Sequence, residues 1–244
     1  MPRAKYDEIY ADLKGAVEGG AYDYGTLLPS ENTLITQYGC SRNTIRRALA
    51  GLAEDGYVQP IHGKGVRVIY QPSERAVFTV GKIESFQESA SRNQLQIVTK
   101  VAVFSVVAVD EALSGKSGFP MGEEAYFIQR VRCLDGKPLI LDTNLFLKKL
   151  IPGLTPEIAA RSIYAYIEKE LGMQIATSKR TITVEHATEQ DARLLDLGDY
   201  NCLAVVTSQT FNSDGVLVEY TQSRHQPDYF SFHDTATRNR LGGN

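Results

Sequence analysis

Three groups of residues have the types and spacing to do chemistry. The first is Ser41-Arg42-Asn43-Thr44 with Arg46 and Arg47. On a helix, Arg42 and Arg46 share one face, and Asn43 and Arg47 form a second pair displaced around it. Arginine forks onto guanine and asparagine onto adenine in a major groove. Ser41 and Thr44, beside the free amides of a helix start, suit phosphate oxygens. The second group is Arg130-Val131-Arg132, which on a strand sets two guanidiniums on one face, about 6.5 Å apart. Such a pair suits an anion, for example a phosphate; the competing reading is two salt bridges on an exposed face. The third group is Glu219, Thr221, Ser223 and His225, alternate residues along one strand face. A carboxylate, hydroxyls and an imidazole suit sugar hydroxyls, but without context the pattern is more often that of a solvent-facing strand. Ser85, where Glu84-Ser85-Phe86-Gln87-Glu88 turns into a helix, is a phosphate anchor or a plain cap.

These groups need scaffolds. Tyr6, Ile9, Tyr10, Leu13 and Val17 recur at helical spacing, and Gly19-Gly20 ends that helix. Ser30 caps a second helix with Leu34 and Ile35 facing inward, stopped by Gly39. Ser41 caps a third, whose buried stripe is Ile45, Ala48, Leu49 and Leu52, closed by Gly56. Only Gly39-Cys40-Ser41 separates the second and third helices, the helix-turn-helix spacing. In that motif the start of the second helix enters the major groove. Val58 to Tyr70 then reads as a hairpin whose tip is His62-Gly63-Lys64-Gly65. Its glycines allow close approach to another polymer. Helix, turn, helix and basic wing in this order outweigh the reading of the arginines as a merely solvated face.

The chain has 244 residues, 43% hydrophobic and 23% charged, which suits a folded chain of one or two domains. No apolar run reaches membrane length and no signal peptide is visible, so a cytoplasmic location is expected. The net charge of −3 disguises a basic segment. Between residues 41 and 70, Arg42, Arg46, Arg47, Lys64 and Arg67 outnumber Glu54 and Asp55. Cys40, Cys133 and Cys202 have no metal spacing and read as reduced packing residues. Gln71-Pro72-Ser73-Glu74-Arg75 marks a boundary. We therefore expect a DNA-binding domain over 1–70, a linker over 71–78 and an effector-binding domain over 79–240. In the second half, Asp135-Gly136 and Asp214-Gly215 are hairpin turns between strands 124–134 and 137–147, and between 203–211 and 216–224. Further strands are expected over 95–109 and 175–184, with helices opening at Ser162 and at Thr188, where Asp191 replaces the usual Glu or Gln of a capping box. Hairpins mean antiparallel pairing, hence an α+β fold. Asp142 has an open register: a two-residue turn sets it opposite Gln129, and a three-residue or bulged turn opposite Arg130.

The run from Leu28-Pro29-Ser30-Glu31 through Ser41-Arg42-Asn43-Thr44-Ile45-Arg46-Arg47 to Gly63-Lys64-Gly65 resembles the N-terminal domain of GntR-family bacterial transcription regulators. The resemblance implies a homodimer on a palindromic operator duplex, with DNA contacts from Ser30, Glu31, Ser41, Arg42, Thr44, Arg46, His62 and Gly63. To these the residues themselves add Asn43, Arg47 and Lys64. Asn32 stands where some relatives carry arginine. Beyond the linker, Ser162 to Glu168, Thr188 to Leu197 and Glu219 to His225 resemble the UTRA effector domain of HutC-type regulators, similar in fold to chorismate lyase. Within that group the likeness is greatest to trehalose operon repressors. It implies a phosphate site at Ser85, Phe86, Gln87, Arg130 and Arg132. It implies a sugar site at Asp142, Ser162, Tyr164, Glu219 and His225. The effector implied is trehalose 6-phosphate, releasing a repressor from DNA. Another phosphorylated sugar, such as an amino-sugar phosphate, is the alternative effector. An enzyme of lyase-like fold fused to a DNA-binding domain is the outside alternative. It is disfavoured because His186, His225 and His233 lack metal-ligand spacing and no G-x-S-x-G motif occurs. No cofactor, metal or membrane is expected.

Overall fold

The computed structural model describes residues 5–71 and 97–232. These form two compact units, divided between residues 71 and 97. The expected linker over 71–78 lies outside the described residues except for Gln71.

The first unit holds helices α1 (Lys5–Glu18), α2 (Glu31–Tyr38) and α3 (Arg42–Glu54), then strands β1 (Val58–Ile61) and β2 (Gly65–Val68). Its core gathers Ile9, Leu13 and Val17 of α1, Leu34 of α2, and Ile45, Ala48, Leu49 and Leu52 of α3. Leu28, Val58 and Val68 complete it, so the wing is tied to the helices by the same apolar burial. Ile35 is only half-buried. The turn between α2 and α3 depends on Gly39, which adopts a left-handed φ of 57° and donates its amide to the Ile35 carbonyl. Tyr38 donates to Asp12, Tyr10 to Asp55 and Tyr57 to Glu18, pinning α1 to the rest of the unit by side-chain hydrogen bonds.

The second unit is one six-stranded antiparallel sheet. Its strands are β3 (Ile97–Ala108), β4 (Glu124–Leu134), β5 (Lys137–Leu147), β6 (Ile175–His186), β7 (Cys202–Asn212) and β8 (Leu217–His225). They lie in the order β3-β4-β5-β8-β7-β6. Between them run α4 (Glu111–Ser117), α5 (Pro156–Ala159), α6 (Ile163–Lys169) and α7 (Glu189–Leu194). Alternation along each strand splits the burial into two layers. Ile163 and Ile167 of α6 pack with Tyr126, Ile128, Phe146 and Val218. On the opposite face, Leu195 packs with Val131, Cys133, Leu141, Leu203 and Val205.

Strand limits agree closely with expectation at the two hairpins; β6 runs two residues past Val184, and Leu95 lies outside the described residues. Two helices went unforeseen, α4, capped by Asp110, and α5, capped by Thr155. The capping box at Thr188 is complete with Asp191: the Thr188 hydroxyl accepts from the Asp191 amide, and the Asp191 carboxylate accepts from the Thr188 amide. Cys40, Cys133 and Cys202 are all free thiols.

Candidate functional site

In the first unit, Ser30 and Ser41 cap α2 and α3, their hydroxyls accepting from the amides of Thr33 and Thr44 at 3.2 Å each. The exposed start of α3 then carries Arg42, Asn43 and Arg46, with Thr44 half-buried beside Ser41. Neither arginine of the principal face is left to wander. The Arg46 Nε donates to both Glu31 carboxylate oxygens at 3.1 Å, and Arg42 donates to the Asn32 side-chain Oδ1 at 2.7 Å. The Glu31 carboxylate also lies 4.0 Å from Arg42. Residues of α2 thus brace both arginines of α3. Arg47 is placed differently, its guanidinium stacked 3.6 Å above the Tyr6 ring of α1. In this position its guanidinium is engaged with α1, whereas Asn43 is exposed at the start of α3. His62, Gly63 and Lys64 are all exposed at the wing tip, where Gly63 has φ 71°.

In the second unit, the two arginines of β4 do lie on one face, but that face is buried rather than exposed. Arg130 and Arg132 are 6% and 5% exposed. The Asp142 register resolves as the bulged alternative. Asp135 and Gly136 take φ 48° and 83°, a two-residue turn of the primed kind. Cys133 still pairs with Pro138, yet Arg132 pairs with Ile140, so Leu139 is an extra residue on β5. Asp142 therefore faces Arg130 across the ladder and shares its side of the sheet. Its carboxylate accepts from Arg132 Nε at 2.9 Å and from the Ser223 hydroxyl at 2.6 Å, and lies 3.8 Å from Arg130.

From there a continuous hydrogen-bond network crosses the sheet. Arg130 Nε donates to Asn144, and Asn144 donates to Glu219 at 3.0 Å and to Thr221 at 2.8 Å. Tyr164, reaching down from α6, donates to Glu219 at 2.6 Å. Arg132 also donates to Thr99 of β3. Asn144 and Thr99 were not foreseen as members, whereas Thr221 stands where the alternation of Glu219, Thr221, Ser223 and His225 put it. Alternation from Asp142 along β5 would have offered Asn144; Thr99 needed the pairing of β3 with β4.

Burial shapes the electrostatics of this face. It would raise the Asp142 carboxyl, but Arg132 and Arg130, with the hydrogen bonds from Ser223 and Arg132, hold it below its ordinary value. Burial and then the neighbouring Arg132 charge lower Arg130 to about 10, so it remains a cation at neutral pH. Burial pushes the Tyr164 hydroxyl up, reinforced by the Glu219 charge and hydrogen bond, which keeps it a donor. Burial pulls His225 down to about 4, against a smaller opposing pull from Asp142. His225 is accordingly neutral, with its ring 5.1 Å from that of Phe230.

That depression predicts acid sensitivity. A folded-state value of about 4 below an unfolded value near 6.5 means that the unfolded chain binds the proton more readily. The contribution is complete above pH 6.5 and is lost as pH falls towards about 4, amounting to about 3 kcal/mol. Urea unfolding of the second unit at stepped pH should show this slope, and His225→Gln should flatten it by about one proton.

Of the expected effector residues, Arg130, Arg132, Asp142, Tyr164, Glu219 and His225 share this face. Ser162 is engaged otherwise: its hydroxyl caps α6, accepting from the Ala165 amide at 3.2 Å. Ser85, Phe86 and Gln87 lie outside the described residues. Among the described residues, no group of three or more His, Cys, Asp or Glu could hold a metal ion, and no helix is long and apolar enough to cross a membrane.

A winged helix-turn-helix unit and, in the same chain, an antiparallel-sheet unit with a buried polar face define a two-part regulator. Residues 5–68 match the family of bacterial regulatory proteins called the gntR family, and residues 92–231 match the UTRA domain. The chain is 39% identical, over 97% of its length and 98% of the relative's, to the HTH-type transcriptional regulator TreR of Bacillus subtilis (strain 168). It is 28% identical to the mannosyl-D-glycerate transport/metabolism system repressor MngR of Escherichia coli (strain K12), over 93% of both chains. The crystal structure of the B. subtilis possible transcriptional regulator YydK superposes with a TM-score of 0.80 at 23% identity, over 96% of this chain and all of that one. The effector binding domain of the B. subtilis trehalose repressor superposes with a TM-score of 0.54 at 37% identity, covering 59% of this chain and 99% of that one. The chain belongs to the GntR family of transcriptional regulators and carries a UTRA domain. It is a regulator and not an enzyme, with DNA binding in the winged helix and effector binding in the UTRA domain.

Proposed function

We propose that this protein is a cytoplasmic, homodimeric repressor of a sugar-utilisation operon, and that trehalose 6-phosphate releases it from a palindromic operator. The observation that carries the effector reading is the buried pair Arg130 and Arg132 at one end of a polar network ending in Glu219 and Tyr164. Guanidiniums suit a phosphate, and the carboxylate, amide and hydroxyls beyond them suit a sugar. The relationship to TreR supports the same reading. Release follows if the effector favours the dimer geometry that misplaces the two copies of α3, through contacts that differ between the two states.

The test is thermal unfolding of the full chain with trehalose 6-phosphate, free trehalose, glucose 6-phosphate and glucosamine 6-phosphate. At about 100 times its dissociation constant, the true effector adds about 2.7 kcal/mol to the domain it binds. Trehalose 6-phosphate should give the largest shift and free trehalose none. A larger shift with glucosamine 6-phosphate would replace the effector while keeping the phosphate site.

On the DNA side, Glu31 acts through Arg46 in this reading, since a carboxylate facing phosphates would repel them. Glu31→Gln is expected to narrow the ratio of specific to non-specific affinity about fivefold, the worth of about 1 kcal/mol for an exposed charge pair. Titration of selected and scrambled duplexes at one salt concentration reads the ratio. An equal gain for both duplexes would mean that Glu31 contributes charge alone.

A further inference from the structure

The polar face does not end at Glu219. It continues across β7 and β6 to the edge of the sheet. Ser223 pairs with Val206, Thr221 with Ser208 and Glu219 with Thr210; beyond them Ser208 pairs with Arg180 and Thr210 with Ser178. These residues share one side of the sheet with Asp142 and Asn144. Tyr164 overhangs the same end, its hydroxyl 3.5 Å from Thr210, which in turn lies 3.2 Å from Ser178. Ser178 and Arg180 are half-buried while Thr177, Lys179 and Thr181, on the other side of β6, are exposed. Arg180 also counts among the charges felt at the Tyr164 hydroxyl.

We propose that Ser178, Arg180, Ser208 and Thr210 form a second subsite that takes the non-phosphorylated ring of a disaccharide phosphate, and so set the length of the effector. The inference rests on the effector reading given above. From β4 to β6 is four strand spacings, about 19 Å. A hexose phosphate anchored on Arg130 and Arg132 covers only the near part of that span. A second ring continues along it towards β6. The groups waiting there suit its hydroxyls. Each serine or threonine hydroxyl both donates and accepts, as a sugar hydroxyl does, and a guanidinium donates in a fork to two adjacent oxygens. No carboxylate belongs to this group of four, so it is not built for an amine.

The experiment is calorimetric titration of the full chain and of Arg180→Met and Ser208→Val with trehalose 6-phosphate and glucose 6-phosphate. Arg180 sits half-buried on an edge strand, and the unliganded melting of each variant serves as the folding control. At least a tenfold loss of affinity for trehalose 6-phosphate is expected in Arg180→Met, with glucose 6-phosphate unchanged, so that preference for the longer ligand collapses. Ser208→Val should act in the same direction by filling the space of the second ring. Equal loss for both ligands, or no loss for trehalose 6-phosphate in either variant, would overturn the subsite while leaving the effector reading intact. A wild-type chain that binds no disaccharide phosphate would overturn both.

Discussion

Asp142→Ala is expected to destabilise the UTRA domain by about 3–5 kcal/mol, the scale for breaking a buried ion pair from one side. Asp142 pairs with both Arg132, at 2.9 Å, and Arg130, at 3.8 Å, and all three residues are at least nine-tenths buried. Its removal takes a shared counter-charge from two buried cations that already disfavour one another. Asp142→Asn keeps the shape and removes the charge, so a similar loss there would assign the effect to electrostatics rather than to a cavity. The variant also makes a prediction about ligands. If these arginines are the phosphate anchor, inorganic phosphate should stabilise Asp142→Ala more than it stabilises the wild type, because the anion replaces the missing carboxylate. Urea unfolding with and without phosphate decides this; equal stabilisation of the two proteins would argue that the pair serves the fold alone.

The second large effect lies on the opposite side of the sheet. Arg224 Nε donates to both Asp191 oxygens at 3.0 Å, its Nη1 to Glu185 at 2.6 Å and its Nη2 to the His186 carbonyl at 2.9 Å. Asp191 is fully buried and closes the capping box of α7. One carboxylate therefore holds the helix start and fastens the helix to β8. Asp191→Ala should lose about 3–5 kcal/mol by stranding the Arg224 charge, with the lost cap contributing about 1 kcal/mol of it. Arg224→Met should be costly as well, because it leaves Asp191 buried without its cation. The double variant should cost less than the sum of the two, since neither orphaned charge remains. Chemical denaturation of the three variants provides the cycle; strict additivity would show that the two side chains act independently.

Much of this regulator was decided by residues close together in the chain. The caps at Ser30, Ser41, Ser162 and Thr188, the stop at Gly39 and the turn at Asp135-Gly136 are local hydrogen-bond and backbone preferences, so a few neighbouring residues suffice to specify them. The buried stripe of α3 and the shared face of Glu219, Thr221, Ser223 and His225 follow from helix and strand periods. The helix-turn-helix spacing and the wing were legible for the same reason.

What only the tertiary structure decided was which faces meet. At the Leu139 bulge the carbonyls are satisfied from elsewhere in the chain: the Gln226 amide donates to Leu139 and the Asp196 amide to Pro138. Those partners are more than fifty residues away along the chain, and no local preference of β5 encodes them. That one bulge turns Asp142 and Asn144 towards the arginines, converts a pair of surface charges into a buried network, and aligns the polar residues of β5 with those of β8. Likewise Arg47 is drawn to Tyr6 by the packing of α1 on α3, which the period of α3 alone cannot reveal. Local order is written in short-range hydrogen bonding; the register that assembles a binding face is set by long-range contacts that compete only once the sheet has formed.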